Sequence, residues 1–438
     1  MMDKNNFDNR SLNIACLIVG GIITLGLYIP LLNILALTIC AFIIIRFSNQ
    51  FLLCFLTFLL SFSPIFKLNI NGFTFFNFII IGTLCKMLYI NNFRISKHLG
   101  IFLILFSLYS ITISLDTDLL EILTVICALT MSMYLLQEEY DRYSLINILH
   151  YLSYGIISTS LIAYFGNYFP RISPLLDRTR IKLGATLYYY RFSGLLRNPN
   201  YYTMLLSIAV AAFCVLFINK KFKSLDFILF ILISLFGFMS MSLSFIFTYL
   251  ITLIITAYEV TKKDVKHSFW GIITVVISLV VIYKLAGTST INTLLYRLKA
   301  TSDISDLGSA TTNRYTIWSN YVSYILSDVK TLLIGNGFKA KNLNGVASHN
   351  FYLETLYYLG VIGSLLFYIC LYKIFIPKSI LKKKPDLYQY IPIAIFLIRG
   401  FARNLITSEQ FVFMLLLCSL SLMDFDSSNE EITNIQST

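Results

Sequence analysis

The sequence predicts an all-α, polytopic integral membrane protein with about fourteen transmembrane helices and two long extracytoplasmic loops. Apolar residues fill 57% of 438 positions and charged residues only 13%, far from the balance of a water-soluble domain. Apolar stretches recur along nearly the whole chain at roughly 15 to 20 residues, the length a helix needs to cross a ~30 Å hydrocarbon layer. These stretches are continuously apolar rather than alternating, which favours helices over a membrane barrel. A helix also satisfies its own backbone hydrogen bonds inside lipid.

In chain order the stretches fall near 12–29, 31–45, 51–66, 73–90, 99–115, 119–136, 145–165, 201–218, 225–240, 243–258, 269–285, 351–375, 388–403 and 410–424. Pro30 hinges the first pair. The chain therefore divides into N-terminal transmembrane helices (1–165), an arginine-rich loop (166–200), further transmembrane helices (201–285), a large loop (286–350), C-terminal transmembrane helices (351–424) and a tail (425–438). The Ser/Asn/Glu-rich tail reads as a short unstructured end. The first span follows a polar leader without a small-residue cleavage site, so it reads as a retained helix.

Orientation follows from lysine and arginine. With the N-terminus inside, the cytoplasmic connections hold 16 basic residues, against 7 in the short outward turns and the first long loop. Both termini are then cytoplasmic and both long loops extracytoplasmic. The first long loop runs against this rule with six basic residues, and such a violation calls for a reason.

The net charge of +12 is largely the inside-positive collar of a membrane protein, and no motif suggests nucleic acid. All eight cysteines lie in apolar spans, where cysteine acts as a small hydrophobe, so neither a disulfide nor a Cys/His metal site is expected. The cytoplasmic loops are too short for a domain. There is no GxxxxGK[ST] loop, no GxGxxG after a strand and no carboxylate cluster to hold a metal with a nucleotide.

Chemistry is expected in the outer loops and at the outer span ends, because polar groups within lipid are costly. In 166–200, Arg171, Arg178, Arg180, Lys182, Arg191 and Arg197 face one acid, Asp177. Arginine's planar fork binds phosphate oxygens in pairs. The loop suits either anionic headgroups or a phosphate-bearing lipid substrate. Pro199 can start the next helix, whose first amides would point at an anion held by Arg191 and Arg197.

In 286–350, Asn313 can cap a helix that places Ile317, Trp318, Tyr321 and Ile325 on one face, with Arg314 in its first turn. This helix reads as a structural lid or an element lying along the outer interface. It is expected to end near "IGNGF", where Gly335 and Gly337 permit a left-handed turn. His349, Asn350 and Glu354 follow in "SHNFYLE". Asn350 can cap the span 351–375, and Glu354 falls in its first turn, where the helix dipole favours a carboxylate. His349 suits a general base or a donor to a phosphate oxygen. Arg399 and Arg403, four apart at an outer span end, share a helix face and either pair with Glu409 or extend an anion site.

Three ordered motifs, "RFSGLLRNPN" (191–200), "NRYTIWSNYVSYILSDVKTLLIGNGF" (313–338) and "SHNFYLETLYYLGVIGSLLFY" (348–368), resemble the O-antigen ligase and polymerase superfamily. The resemblance covers about residues 190 to 370; the first 165 match only as apolar helices. It implies an integral membrane glycosyltransferase at the outer face of the bacterial inner membrane, without metal or other cofactor. The donor would be a glycan on undecaprenyl pyrophosphate. In the polymerase branch, to which O-antigen and capsular repeat-unit polymerases belong, the acceptor is another lipid-linked repeat unit; in the ligase branch it is the lipid A core.

The resemblance implies that Arg191 and Arg314 hold the pyrophosphate with Arg197 assisting, while His349 holds phosphate or activates the acceptor. Glu354 is the other candidate to receive the acceptor's proton. Asn200 and Asn350 would mainly cap helices and orient these groups, and Arg180, Arg399 and Arg403 complete the expected anion site. A chain-length regulator and a flippase are expected partners. One departure is that "MSMSLSFIF" (239–247) lacks an arginine often seen there, which puts a site role for that turn in doubt. A lipid-linked oligosaccharide flippase is the rival class, and the expected charges deep in its spans and two related halves are not seen.

Overall fold

A computed structural model describes residues 9–66, 75–90, 97–114, 119–135, 145–168, 180–183, 187–196, 198–263, 314–338, 343–376, 385–403, 406 and 408–422, with a few single positions between 280 and 295. Helices occupy thirteen of the fourteen expected windows; the window 269–285, apart from positions 280 and 284, and the tail 425–438 lie outside the described residues. The helices are α1 (Asn9–Leu25), α2 (Leu31–Arg46), α3 (Asn49–Leu60), α4 (Phe75–Ile90), α5 (Lys97–Thr112), α6 (Leu119–Leu135), α7 (Leu145–Phe165), α8 (Pro199–Ile218), α9 (Ser224–Met239) and α10 (Leu243–Lys263). After these come α11 (Arg314–Ser327), α12 (Val329–Leu333), α13 (Phe351–Phe375), α14 (Ile391–Gly400) and α15 (Gln410–Ser421).

Four helices, Leu145–Phe165, Pro199–Ile218, Leu243–Lys262 and Phe351–Phe375, are long and apolar enough to cross a membrane. The remaining apolar helices are shorter, at 10–17 residues. One departure from the all-α expectation is a two-stranded antiparallel hairpin, β1 (Arg180–Leu183) with β2 (Leu187–Tyr190). Its three consecutive tyrosines suit a pleated ribbon better than a helix. The eight cysteines are free, as expected from their apolar settings.

The core runs along α8, which is apolar on every side and buried along nearly all its length. It packs against α9, α10, α14 and α15, while α3 packs on α7 and α13 on α5. At the end of α8 remote from Pro199, Tyr388 donates to Asn219 at 2.6 Å. His150 of α7 meets the buried Asp226 of α9 at 2.5 Å.

Helix α13 is broken at Gly360, whose backbone (φ 60°, ψ −172°) is outside the helical region. A break in an apolar helix frees carbonyls that must find donors. Here the expected left-handed turn, with Gly335 at φ 87° and Gly337 at φ 72°, supplies them. The amides of Asn336 and Gly337 donate to the carbonyls of Tyr357 (3.0 Å) and Tyr358 (2.9 Å). Tyr109 of α5 donates to Leu359 at 2.9 Å and to Ile334 at 2.7 Å. The contact admits no side chain: a Cβ on Gly335 would lie 2.4 Å from the Tyr358 carbonyl oxygen. The large loop is thus fastened to the middle of α13.

Candidate functional site

Arg191 directly follows β2 and reaches two elements. Its Nε donates to the Ser240 carbonyl at 3.1 Å, and Nη2 donates to Asn200 Oδ1 at 3.1 Å. Asn200 is not a helix cap, contrary to expectation. Pro199 occupies the first turn of α8, where its missing N–H costs nothing, so the capping side chain is Asn198, which accepts from the Asn200 amide at 3.0 Å. Asn200 is left to receive Arg191 and Ser242, whose hydroxyl donates to the same Oδ1 at 3.3 Å.

The turn without arginine proves to be part of the site. Ser240, Ser242 and Ser244 alternate around Met241, which has φ 53°; the Ser240 carbonyl and the Ser244 hydroxyl meet arginines brought from elsewhere, and the Ser242 hydroxyl meets Asn200. Arg399, 1% exposed near the end of α14, donates to Ser244 Oγ, to Thr203 Oγ1 at 2.8 Å and to the Asn200 carbonyl at 3.0 Å. Arg399 therefore bolts α14 to the starts of α8 and α10. Among the described residues its buried Nε has no hydrogen-bond partner.

Arg403 does not share a helical face with Arg399, because α14 ends at Gly400. It nevertheless comes to the same place. Its guanidinium lies 4.4 Å from the Tyr201 ring centroid, a cation–π contact, and its Nη1 is 2.6 Å from His349 Nδ1.

The segment bearing His349 is held on both sides. Asn350 caps α13 as expected, accepting from the amides of Tyr352 (2.9 Å) and Leu353 (3.2 Å). Glu354, 1% exposed, turns Oε1 back to the Ser348 hydroxyl (3.0 Å) and the His349 amide (3.2 Å). These bonds hold His349 in left-handed backbone, φ 54°, which a residue with a Cβ adopts only under constraint. On the other side Trp318 Nε1 donates to the Ser348 carbonyl at 2.9 Å and Tyr321 to the Val346 carbonyl at 2.9 Å.

The loop helix buries Tyr321 and Ile325 and half-buries Ile317 and Trp318, as the expected face requires. It begins at Arg314, and Asn313 lies outside the described residues. The helix stops at Ser327, earlier than expected, because Asp328 caps the short α12 by accepting from the amides of Lys330 and Thr331.

Arg314 is half-buried, and both burial and the charge of Arg403 push its pKa down. His349 is pushed down to about 4 by burial, then by Arg403 and Arg314. The charges of Arg314, Arg191 and Arg403 all reach Arg399. Four arginines from distant parts of the chain thus converge with one histidine. Glu354, whose charge reaches Arg403, turns its Oε1 into the His349 turn. Such a cluster is a preorganised anion site, because its repulsion is relieved when negative charge enters.

Arg180 pairs backbone to backbone with Tyr190, one residue before Arg191. Its side chain, and Arg197 altogether, lie outside the described residues. Sequence reasoning missed Tyr201, Thr203 and the three serines of 240–244, and it gave Trp318 a place on the helix face but not its bond to Ser348. The serines carried a signal, since alternate hydroxyls inside an apolar run need partners.

No family model matches the chain, no characterised protein is significantly similar to it in sequence, and no solved structure is significantly similar to it in fold.

Proposed function

We propose that the chain is a polysaccharide polymerase of the bacterial inner membrane, joining undecaprenyl-pyrophosphate-linked repeat units at the outer face. The observation that carries this reading is a cluster of four arginines: Arg403 and Arg314 act on His349, Arg191 and Arg399 meet at Asn200, and the charges of Arg314, Arg191 and Arg403 all reach Arg399. A diphosphate leaving group gains negative charge as its bond to sugar breaks, and donors already in place stabilise that charge most. Arg191, Arg314 and Arg403 serve as diphosphate ligands, while buried Arg399 holds the scaffold.

In the reaction, an acceptor hydroxyl of one lipid-linked unit forms a bond to the anomeric carbon of the growing chain. The bond from that carbon to the diphosphate oxygen breaks, and undecaprenyl pyrophosphate leaves with the bonding electrons. The about fourteen spans, the cytoplasmic termini and the extracytoplasmic site belong to this reading. So do the flippase that delivers units and the regulator that sets chain length.

The test is reconstitution of the purified chain in lipid nanodiscs with a lipid-linked repeat unit. A ladder of products with matching release of undecaprenyl pyrophosphate is expected, and none from Arg191→Ala. Binding of the unit without any chain growth would sink the proposal. Growth only onto lipid A core would reassign the chain to the ligases.

A further inference from the structure

We infer that His349 is a neutral Nε2–H donor to a phosphate oxygen of the bound lipid diphosphate, and not the base for the acceptor hydroxyl. The inference rests on the reading that this site handles a lipid-linked diphosphate. It starts from the contact between Arg403 Nη1 and His349 Nδ1 at 2.6 Å. A guanidinium has only donors, so the nitrogen it touches must offer a lone pair. In a neutral imidazole one nitrogen accepts and the other carries the hydrogen. With Nδ1 committed to Arg403, the hydrogen sits on Nε2, which therefore has no lone pair with which to take a proton.

The surroundings hold this state from every side. Arg403 faces the ring from the segment after α14, and the charge of Arg314 reaches it from α11. From α13, Glu354 Oε1 accepts from the His349 amide and the Ser348 hydroxyl, and its charge reaches Arg403. On α8, Tyr201 lies under the Arg403 guanidinium and keeps it in place. Two cations and a ring held near pKa 4 make an imidazolium costly before any anion enters. Among the described residues nothing hydrogen-bonds Nε2, so this N–H is the group the assembly presents.

The proton of the acceptor hydroxyl needs another destination. Glu354 is 1% exposed and tied into the His349 turn, so it is not placed to meet a sugar. The departing diphosphate gains one negative charge as the anomeric bond breaks, and one of its oxygens takes the proton. The carbon–oxygen bond formed replaces the one broken, and charge and protons balance.

Two substitutions separate the roles. Glutamine places its amide N–H about where Nε2 lies, whereas asparagine reaches only to the Nδ1 position and is itself tolerated at positive φ. His349→Asn therefore keeps the turn and an acceptor for Arg403 but removes the outer donor. The experiment measures undecaprenyl pyrophosphate binding to the full chain in nanodiscs, and polymerisation rate, for wild type, His349→Gln and His349→Asn. Thermal melting of all three checks folding.

His349→Gln is expected to keep at least a tenth of wild-type affinity and rate, while His349→Asn loses affinity more than tenfold at near wild-type melting temperature. Full affinity with no turnover in His349→Gln would identify His349 as the base and overturn the inference, leaving the functional reading intact. Wild-type affinity in His349→Asn would overturn it too. Absence of binding by the wild type would instead defeat the functional reading.

Discussion

Arg403 lies 2.6 Å from Nδ1 of His349 while resting 4.4 Å from the centroid of the Tyr201 ring, so a single guanidinium ties α8 to the turn before α13. This pairing sets a pH dependence. His349 titrates at about 4 in the folded chain against an ordinary 6.5. Between those values the unfolded chain binds the extra proton, so the contribution to stability is fully present above about pH 6.5 and is lost as pH falls toward 4. Measured against His349→Asn, which cannot titrate, the wild-type melting temperature is expected to fall across that window. A constant difference would show that the pairing is absent.

Arg191 donates to the Ser240 carbonyl and to Asn200, and it stands beside the start of α8. Arg191→Ala is expected to lower polymerisation at least 100-fold, on the order of the 2.7–4 kcal/mol reported by loss of one charge-stabilising donor. Arg191→Lys keeps the charge but not the paired geometry, and an intermediate rate is expected. Chain-length ladders on a gel read both. A full-length ladder from Arg191→Ala would remove it from the site.

Arg399 should behave differently, because it is buried and its hydrogen bonds tie α14 to both α8 and α10, whereas Arg191 is half-buried. Arg399→Met strands the buried Thr203 hydroxyl and half-buried acceptors on Asn200 and Ser244, at up to about 1–3 kcal/mol for a buried group left unsatisfied. The expected result is a lower melting temperature and a lower yield of folded protein than for Arg191→Ala. Normal stability with lost activity would instead make Arg399 a direct diphosphate ligand.

Gly335 and Gly360 test the fastening of the loop to α13. Alanine at either meets a backbone atom, at 2.4 Å for Gly335 and 2.5 Å for Gly360, and must also adopt positive φ. Each substitution is expected to cost about 1–3 kcal/mol and to speed amide exchange in 314–338 before any change in α8. Unchanged exchange in that segment would mean that the turn is not what holds it.

Much of this arrangement was legible in the sequence because it depends on local patterns. Continuous apolar runs located the helices, Asn350 announced its cap, and the spacing of Tyr321 and Ile325 gave the buried face of α11. The conversion of Asn200 from cap to arginine partner was also readable, since proline at the first helical position makes Asn198 the cap. Other features depend on residues far apart in the chain. Nothing local says that Ser244 will meet Arg399, or that the break at Gly360 will be filled by Asn336. The hairpin of 180–190 was hidden because its arginines drew attention to charge, while its tyrosines carried the strand preference.

Deletion of the gene followed by analysis of the cell's surface glycan tests the polymerase reading most directly. Glycans capped at a single repeat unit are expected, with long chains restored by the wild-type chain and not by Arg191→Ala. Long chains of normal length in the deletion strain would contradict the reading, and long polymer left on the undecaprenyl carrier would show that the chain ligates polymer instead of building it.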